Sequence, residues 1–255
     1  MKPDFGLTAE DYARFRAGFP DSFYERLAAR GIGRADQRVT DLGTGTGTLA
    51  RGFARRGCRV TGVDPAGAML AEASRLSAEA GLDIPTVLAR AEATGLADDS
   101  ADVVVAGQCW HWFDRPAAAR EAARLLAASG VLVIGHLDWI PTDGNVVEAT
   151  ERLIEAHNPA WQLGGGAGLY PMWLRDLTEA GYTELETWSY DVDLCYPPEA
   201  WRGRIRASAG IGASLPPEAV NAFDRDLAAL LAERFPGASV SAHHRVFTLI
   251  ARPPV

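Results

Sequence analysis

Three glycines at alternate positions, Gly43, Gly45 and Gly47, follow Val39-Thr40-Asp41-Leu42 and lead into Thr48-Leu49. Glycine has no Cβ, so such a run can turn sharply and let a ligand approach the backbone beside the electropositive start of a helix. A dinucleotide fingerprint needs G-x-G-x-x-G, and counting from Gly43 and Gly45 its third glycine would fall on Thr48. The spacing speaks against NAD and FAD. Asp41, two positions before the first glycine, suits a ligand carrying an ammonium or sulfonium better than a pyrophosphate. Asp64 closes the run Val60-Thr61-Gly62-Val63, 17 residues after Gly47. A carboxylate at the end of a second parallel strand can accept both hydroxyls of a ribose.

These residues need a strand before the glycines, a helix after them, and a second strand beside the first. The pattern predicts strands over 38–42, 58–64, 86–89, 101–106 and 131–137, alternating with helices over 46–56, 65–80 and 114–128. Such alternation argues a doubly wound α/β sheet. Thr8 with Asp11 reads as a capping box, with Tyr12, Phe15 and Phe19 at helical spacing before Pro20 and a second helix over 22–30. Helices are expected over 145–157, 170–180, 197–209 and 216–235. Strands over 184–194 and 242–252 could form an antiparallel edge. No linker separates independent domains, so 1–255 reads as one domain. Its expected parts are an N-terminal helical lid segment (1–33), a cofactor-binding core (34–140) and a C-terminal half (141–255) with substrate-cap helices and the last two strands.

Asp41-x-Gly43-x-Gly45-x-Gly47 resembles motif I of the class I S-adenosylmethionine-dependent methyltransferases. Pro65-Ala66-Gly67-Ala68-Met69-Leu70 is similar to the turn in which that family lays a Met against adenine, and Ala89-Arg90-Ala91-Glu92-Ala93 falls where it often has Gly-Asp-Ala-Glu. Arg90 replaces the Asp that bonds the adenine amino group, so adenine recognition must rest on the backbone of Arg90 and Ala91 or on another side chain. Gln108-Cys109-Trp110-His111-Trp112-Phe113 resembles the His-Trp-Phe segment of methyltransferases similar to the trans-aconitate methyltransferases, within a type 11-like group. The resemblance covers about residues 10–140 and is specific for the cofactor, not the acceptor. It implies a Rossmann-like seven-stranded sheet with helices on both faces and a helical lid. It implies S-adenosyl-L-methionine as cofactor and S-adenosyl-L-homocysteine as product. The cofactor set it implies is Tyr12, Arg16, Asp41, Gly43, Thr44, Gly45, Gly47, Asp64, Pro65, Met69, Arg90, Ala91, Glu92 and Gln108.

The acceptor side is less determined. His111 follows strand four and His136 ends strand five, the carboxyl edge where ligands bind in such sheets, so both are candidate bases. Trp110, Trp112, Asp138, Trp139, Tyr170 and Trp173 could wall or anchor an acceptor, and packing within a lid serves equally well for the aromatic residues. Arg202, Arg204 and Arg206 alternate at i and i+2, so on a helix they point different ways. The expected activity is methylation of a small molecule at a carboxylate or hydroxyl oxygen. The alternatives are a non-catalytic module that binds the cofactor or its product, and an N- or C-methyltransferase.

Composition narrows the partners. The 255 residues are 47% hydrophobic and 23% charged with a net charge of −8, and Lys2 is the single lysine beside 24 arginines. Lysine-dependent chemistry is nearly excluded, and without a block of positive charge nucleic acid is not an expected partner. Cys58, Cys109 and Cys195 have no zinc-ligand spacing, so no metal is expected and the cysteines read as free thiols of a cytoplasmic protein. The first residues lack the apolar core of a signal peptide, and no run reaches the roughly 18 apolar residues of a membrane span. The expected partner is a small methyl acceptor, with the chain a monomer or homodimer.

Overall fold

The structure is a computed structural model that describes residues 14, 15 and 17–254. In chain order the described elements are α1 (Asp21–Ala28), β1 (Arg38–Leu42), α2 (Thr48–Ala54), β2 (Arg59–Asp64), α3 (Gly67–Glu79), β3 (Thr86–Leu88), β4 (Ala101–Gly107), α4 (Arg115–Leu125), β5 (Leu126–Trp139), α5 (Val146–His157), α6 (Pro171–Glu179), β6 (Thr183–Tyr196), α7 (Pro198–Arg206), α8 (Pro217–Arg234) and β7 (Val240–Arg252). The strands form one seven-stranded mixed sheet in the order β3-β2-β1-β4-β5-β7-β6. The α/β class and the Rossmann-like sheet expected from the sequence are therefore present. The expected capping box at Thr8 and Asp11, with Tyr12 and Arg16, lies outside the described residues.

Strand β1 pairs in parallel with β2 on one side and β4 on the other, with Asp41 opposite Gly62 and Val105. The chain thus builds outward from β1 to β3, then returns to the other side of β1 for β4 and β5. At such a reversal the loops leaving the two central strands diverge and open a crevice at their carboxyl ends. Val103, Val104, Val105 and Ala106 of β4 are all buried, as the near-continuous apolar runs of a strand covered on both faces require.

The chain divides into two compact units. The larger comprises 18–137, 169–189 and 246–254, and its core gathers Leu42, Val63, Val104, Trp110, Leu132, Ile134, Trp173 and Phe247. The smaller comprises 138–168, 190–245 and the described residues before 18. Its core is Val147, Ile154, Tyr196, Trp201, Ile205, Phe223 and Leu227. Strands β5, β6 and β7 run on through the unit boundary, so the division does not follow the expected segments 34–140 and 141–255.

One element departs clearly from its expected form. The alanine-rich stretch over 114–128 predicts a helix to Ala128, yet α4 ends at Leu125 and β5 begins at Leu126. Leu126 pairs with Ala101 across a register irregularity, and pairing to a partner strand overrides the strong intrinsic helical preference of Ala127 and Ala128. Asp114 and Asn145 begin their helices as the sequence suggests. The Asp114 carboxylate accepts from the Ala117 N–H and the Asn145 side-chain oxygen from the Glu148 N–H.

Helix α1 is fixed by aromatic packing. Phe19 stacks on Phe23 with centroids 4.3 Å apart, and the Phe19 ring lies where a Cβ on Gly107 or Gly135 would stand, at 3.2 and 3.1 Å. Tyr24, buried against Phe53, passes so close to Gly52 that a Cβ there would meet the phenol oxygen at 2.0 Å. Gly52→Ala is therefore expected to cost about 1–3 kcal/mol through displacement of the Tyr24 ring. Urea denaturation of the variant measures this, and a change under about 0.5 kcal/mol would contradict the packing.

Candidate functional site

The site is built in the larger unit from the carboxyl ends of β1, β2, β3, β4 and β5. All three loop glycines take left-handed backbone, with φ of 68° at Gly43, 55° at Gly45 and 76° at Gly47. A Cβ on Gly43 would meet the Cys109 sulfur at 2.8 Å, whereas one on Gly45 would meet nothing within 4 Å. The middle glycine therefore faces open space while the outer two are locked by their surroundings.

The amides of the loop are already engaged. The Thr44 N–H donates to Val63 O, the Gly45 N–H to Asp64 Oδ2 at 2.9 Å, and the Gly47 N–H to Thr44 O. A phosphate cradle needs such donors free, so the structure agrees with the mismatch to a dinucleotide fingerprint. Asp64 Oδ1 accepts from the Ala66 N–H at 2.9 Å. Each Asp64 oxygen keeps a second acceptor position, the capacity that binding ribose hydroxyls requires. Burial raises the Asp64 pKa, and the two backbone donors oppose that rise.

Asp41 is wholly enclosed. Its Oδ2 accepts from the Thr44 hydroxyl at 2.7 Å, so the Thr44 side chain braces the loop. Its Oδ1 has no hydrogen-bond partner among the described residues. Burial above all, with the Asp64 charge added, pushes its pKa up to about 7 despite the Thr44 and Ala50 hydrogen bonds. The same surroundings, burial first and then Asp41 and Asp64, hold the Cys109 thiol well above its ordinary value. Cys109 thus remains a neutral donor, to Leu42 O at 3.1 Å.

Beyond Asp64, Pro65 is exposed and Met69 is only 3% exposed, packed in the core. The segment after β3 holds buried Ala91, with Arg90 Nε donating to Glu92 Oε2 at 3.1 Å and the Asp114 N–H donating to Glu92 Oε1 at 2.8 Å. Burial would lift Glu92, but these donors prevail and hold it below the usual carboxylate range. Gln108 is left-handed at φ 61°, an uncommon state for a side-chain-bearing residue, and its N–H donates to Gly135 O at 2.8 Å.

His111 lies on a 3-10 turn, Trp110–Trp112, and His136 near the end of β5; their ring centroids are 5.4 Å apart. Tyr170 and Trp173 stack at 3.9 Å and both approach His136, at 4.7 and 5.7 Å, with Phe247 behind them. Half-buried Trp112 tilts against His111 at 4.5 Å. Trp110, expected in an acceptor wall, is fully buried in the core, because its large apolar surface closes the layer between the sheet and α4. Phe247 reaches this cluster from the last strand, with no motif along the chain to mark it.

Asp138 and Trp139 belong to the smaller unit, where Trp139 Nε1 donates to Glu151 Oε1 at 2.8 Å and lies under the Arg204 guanidinium. Arg202 and Arg206 both pair with Asp224 of α8, while Arg204 turns the other way and is buried. The alternating arginines therefore brace a helix pair. Among the described residues no group of three or more His, Cys, Asp or Glu could hold a metal ion, and no helix is long and apolar enough to cross a membrane.

Residues 40–134 match the family model described as a methyltransferase domain. An uncharacterized methyltransferase of Mycobacterium tuberculosis is 33% identical over 153 residues, covering 58% of this chain and 60% of that protein. An uncharacterized methyltransferase of Schizosaccharomyces pombe is 30% identical over 190 residues, covering 71% of this chain and 69% of that protein. The chain belongs to the class I S-adenosylmethionine-dependent methyltransferases. The fold agrees: a structure from Anaeromyxobacter dehalogenans, named as a candidate type II methyltransferase, superposes with a TM-score of 0.65 at 21% identity, covering 94% of this chain and 100% of that one. The match to the mycobacterial methyltransferase spans about 60% of that relative's length.

The buried Asp41 of this methyltransferase gives a pH signature. Its folded pKa lies above the unfolded value of 3.8, so the stability it contributes is fully present below that value and is lost as pH rises through about 7. Urea denaturation of wild type and Asp41→Asn at pH 5 and pH 8 reads this: wild type is expected to lose stability relative to the variant at the higher pH. An unchanged difference would contradict a buried Asp41 carboxyl with a raised pKa.

Proposed function

We propose that this protein transfers the methyl group of S-adenosylmethionine to an oxygen of a small acceptor. One observation carries the reading: Gly45 borders open space and its N–H is held by the Asp64 carboxylate, which keeps spare acceptor positions. The free acceptor positions of Asp64 match a ligand that carries a ribose, and a Cβ at Gly45 would intrude on the open side. Asp64 receives the ribose hydroxyls, and enclosed Asp41 holds the loop through Thr44. When bound, S-adenosylmethionine supplies an electrophilic methyl group on its sulfonium.

The chain's own task is then to place an acceptor in line and to handle its proton. The aromatic cluster of Trp112, Tyr170, Trp173 and Phe247 gives a low-polarity wall beside His111 and His136. For a hydroxyl acceptor, an imidazole nitrogen of His136 would take the proton that the acceptor gives up as it gains the methyl group supplied by the cofactor. Proton loss keeps the oxygen neutral after transfer. A carboxylate acceptor needs no base, and the same wall then serves only to orient it. His111, half-buried beside His136, is the second candidate base.

Calorimetry with S-adenosylhomocysteine tests the cofactor half. Wild type is expected to bind and Asp64→Ala to bind at least about tenfold more weakly, a loss of roughly 1.4 kcal/mol; equal binding would overturn the site. The acceptor half is tested by incubation with labelled S-adenosylmethionine and a small-molecule cell extract, followed by mass spectrometry of labelled products. With a hydroxyl acceptor so found, His136→Asn is expected to lower kcat about 100-fold or more and to leave S-adenosylhomocysteine affinity within about twofold.

A further inference from the structure

Among the described residues, four large apolar side chains stand at least half exposed: Leu88, Leu163, Leu169 and Met172. Scattered singly, such residues need no explanation. Leu169 and Met172 are not scattered. Both belong to the larger unit and bracket Tyr170, with exposed Pro171 between Tyr170 and Met172. Tyr170 is the residue whose ring approaches His136 at 4.7 Å and stacks on Trp173 at 3.9 Å. An exposed apolar run is therefore continuous in the chain with the aromatic wall.

The contacts of α6 fix the direction in which it presents Met172. Trp173 and Leu177, four residues apart, are buried in the core. Met172 and Asp176, also four apart, share the neighbouring face. Asp176 Oδ2 pairs with Arg115 Nε at 2.9 Å, so that face is turned to the start of α4. Arg115 stands three residues after Trp112, which lies against His111 at 4.5 Å. On the other side, Cys109 and Phe113 flank the 3-10 turn and stand where a Cβ on Gly43 would come, at 2.8 and 3.0 Å. A succession of contacts thus runs from Gly43 through the turn to His111, His136 and Tyr170. It ends at Leu169 and Met172.

We infer that Leu169 and Met172 are specificity-determining residues and that the methyl acceptor is a lipophilic molecule, with an alkyl chain or hydrocarbon ring attached to the part that carries its oxygen. This rests on the acceptor site proposed above. With the reacting oxygen at His136, the remainder of the acceptor passes Tyr170 and covers Leu169 and Met172. Small-molecule sites are mostly apolar, with a few polar groups that orient the ligand. His111 and His136 are those polar groups, and the unbranched Met172 adapts to the shape of a hydrocarbon. A sugar or another polyol would remove no apolar surface from water here and would gain nothing from the rim.

The experiment is titration calorimetry of wild type and the double variant Leu169→Ser, Met172→Ser, each saturated with S-adenosylhomocysteine, using phenol, 4-propylphenol and 4-pentylphenol. Thermal unfolding confirms that the variant folds. Wild type is expected to bind about two- to fourfold more tightly for each added methylene. In the variant that gain is expected to fall below about 1.5-fold per methylene, with S-adenosylhomocysteine affinity unchanged. A wild type that binds no phenol, or all three alike, overturns the assignment, as does an undiminished gain per methylene in the variant. Sedimentation velocity supplies a further check: if the two substitutions convert a dimer to a monomer, the rim belongs to a second copy of the chain and the assignment falls. Failure of wild type to bind S-adenosylhomocysteine overturns the cofactor site itself, a result distinct from a failure at the rim.

Discussion

The double hydrogen bond of the Asp64 carboxylate, to Gly45 N–H on one oxygen and Ala66 N–H on the other, is the constraint on which the site depends. It joins the loop after β1 to the turn after β2, two segments that a parallel sheet sets side by side but does not otherwise tie together. With Gly45 held, Thr44 turns inward to Asp41, and the space at Gly62 accommodates its methyl group, which a Cβ there would approach to 2.9 Å. The left-handed backbone at all three loop glycines follows from this closure. A carboxylate that shapes the loop and keeps acceptor capacity outward couples folding to ligand recognition. Its partial burial is tolerated because the two backbone donors offset desolvation.

Charge is distributed by role across the molecule. Most described arginines support structure: Arg38 grips Asp102 at the start of the sheet, Arg124 grips Glu121 and Asp98, and Arg202 and Arg206 share Asp224. Arg90 stands apart, with one nitrogen held and the rest of its fork directed to solvent. With a net charge of −8 and one lysine in the chain, positive charge near the site comes from single arginines. At Asp41 burial raises the pKa, and the groups that hydrogen-bond it, Thr44 and the Ala50 backbone, carry no charge.

Much of the fold was legible because its signals are local. Strand β1 falls at the expected residues, β2 and α3 within two residues, and Asp114 and Asn145 cap their helices by side-chain chemistry that needs no distant partner. The end of α4 was not legible, because Ala101 of another strand recruits Leu126 into β5. Among candidate site residues, spacing along the chain pointed to Asp41, Gly45 and Asp64. The inward turn of Thr44 and the burial of Met69 and Trp110 could not, since a residue type at helical or loop spacing does not declare which face the core will claim.

The sequence by itself determined the kind of loop, the two carboxylates and the alternation of strands and helices, since these follow from glycine's missing Cβ and from hydrophobic period. Tertiary structure alone decided that residues 247, 170, 173 and 136 share one aromatic cluster, because strand order brings β7 beside β5 after more than a hundred intervening residues. It also decided that Asp41 lies within the protein and Arg90 at its surface. Burial depends on what the whole sheet packs around each side chain, and the charge state and reach of a group follow from that enclosure.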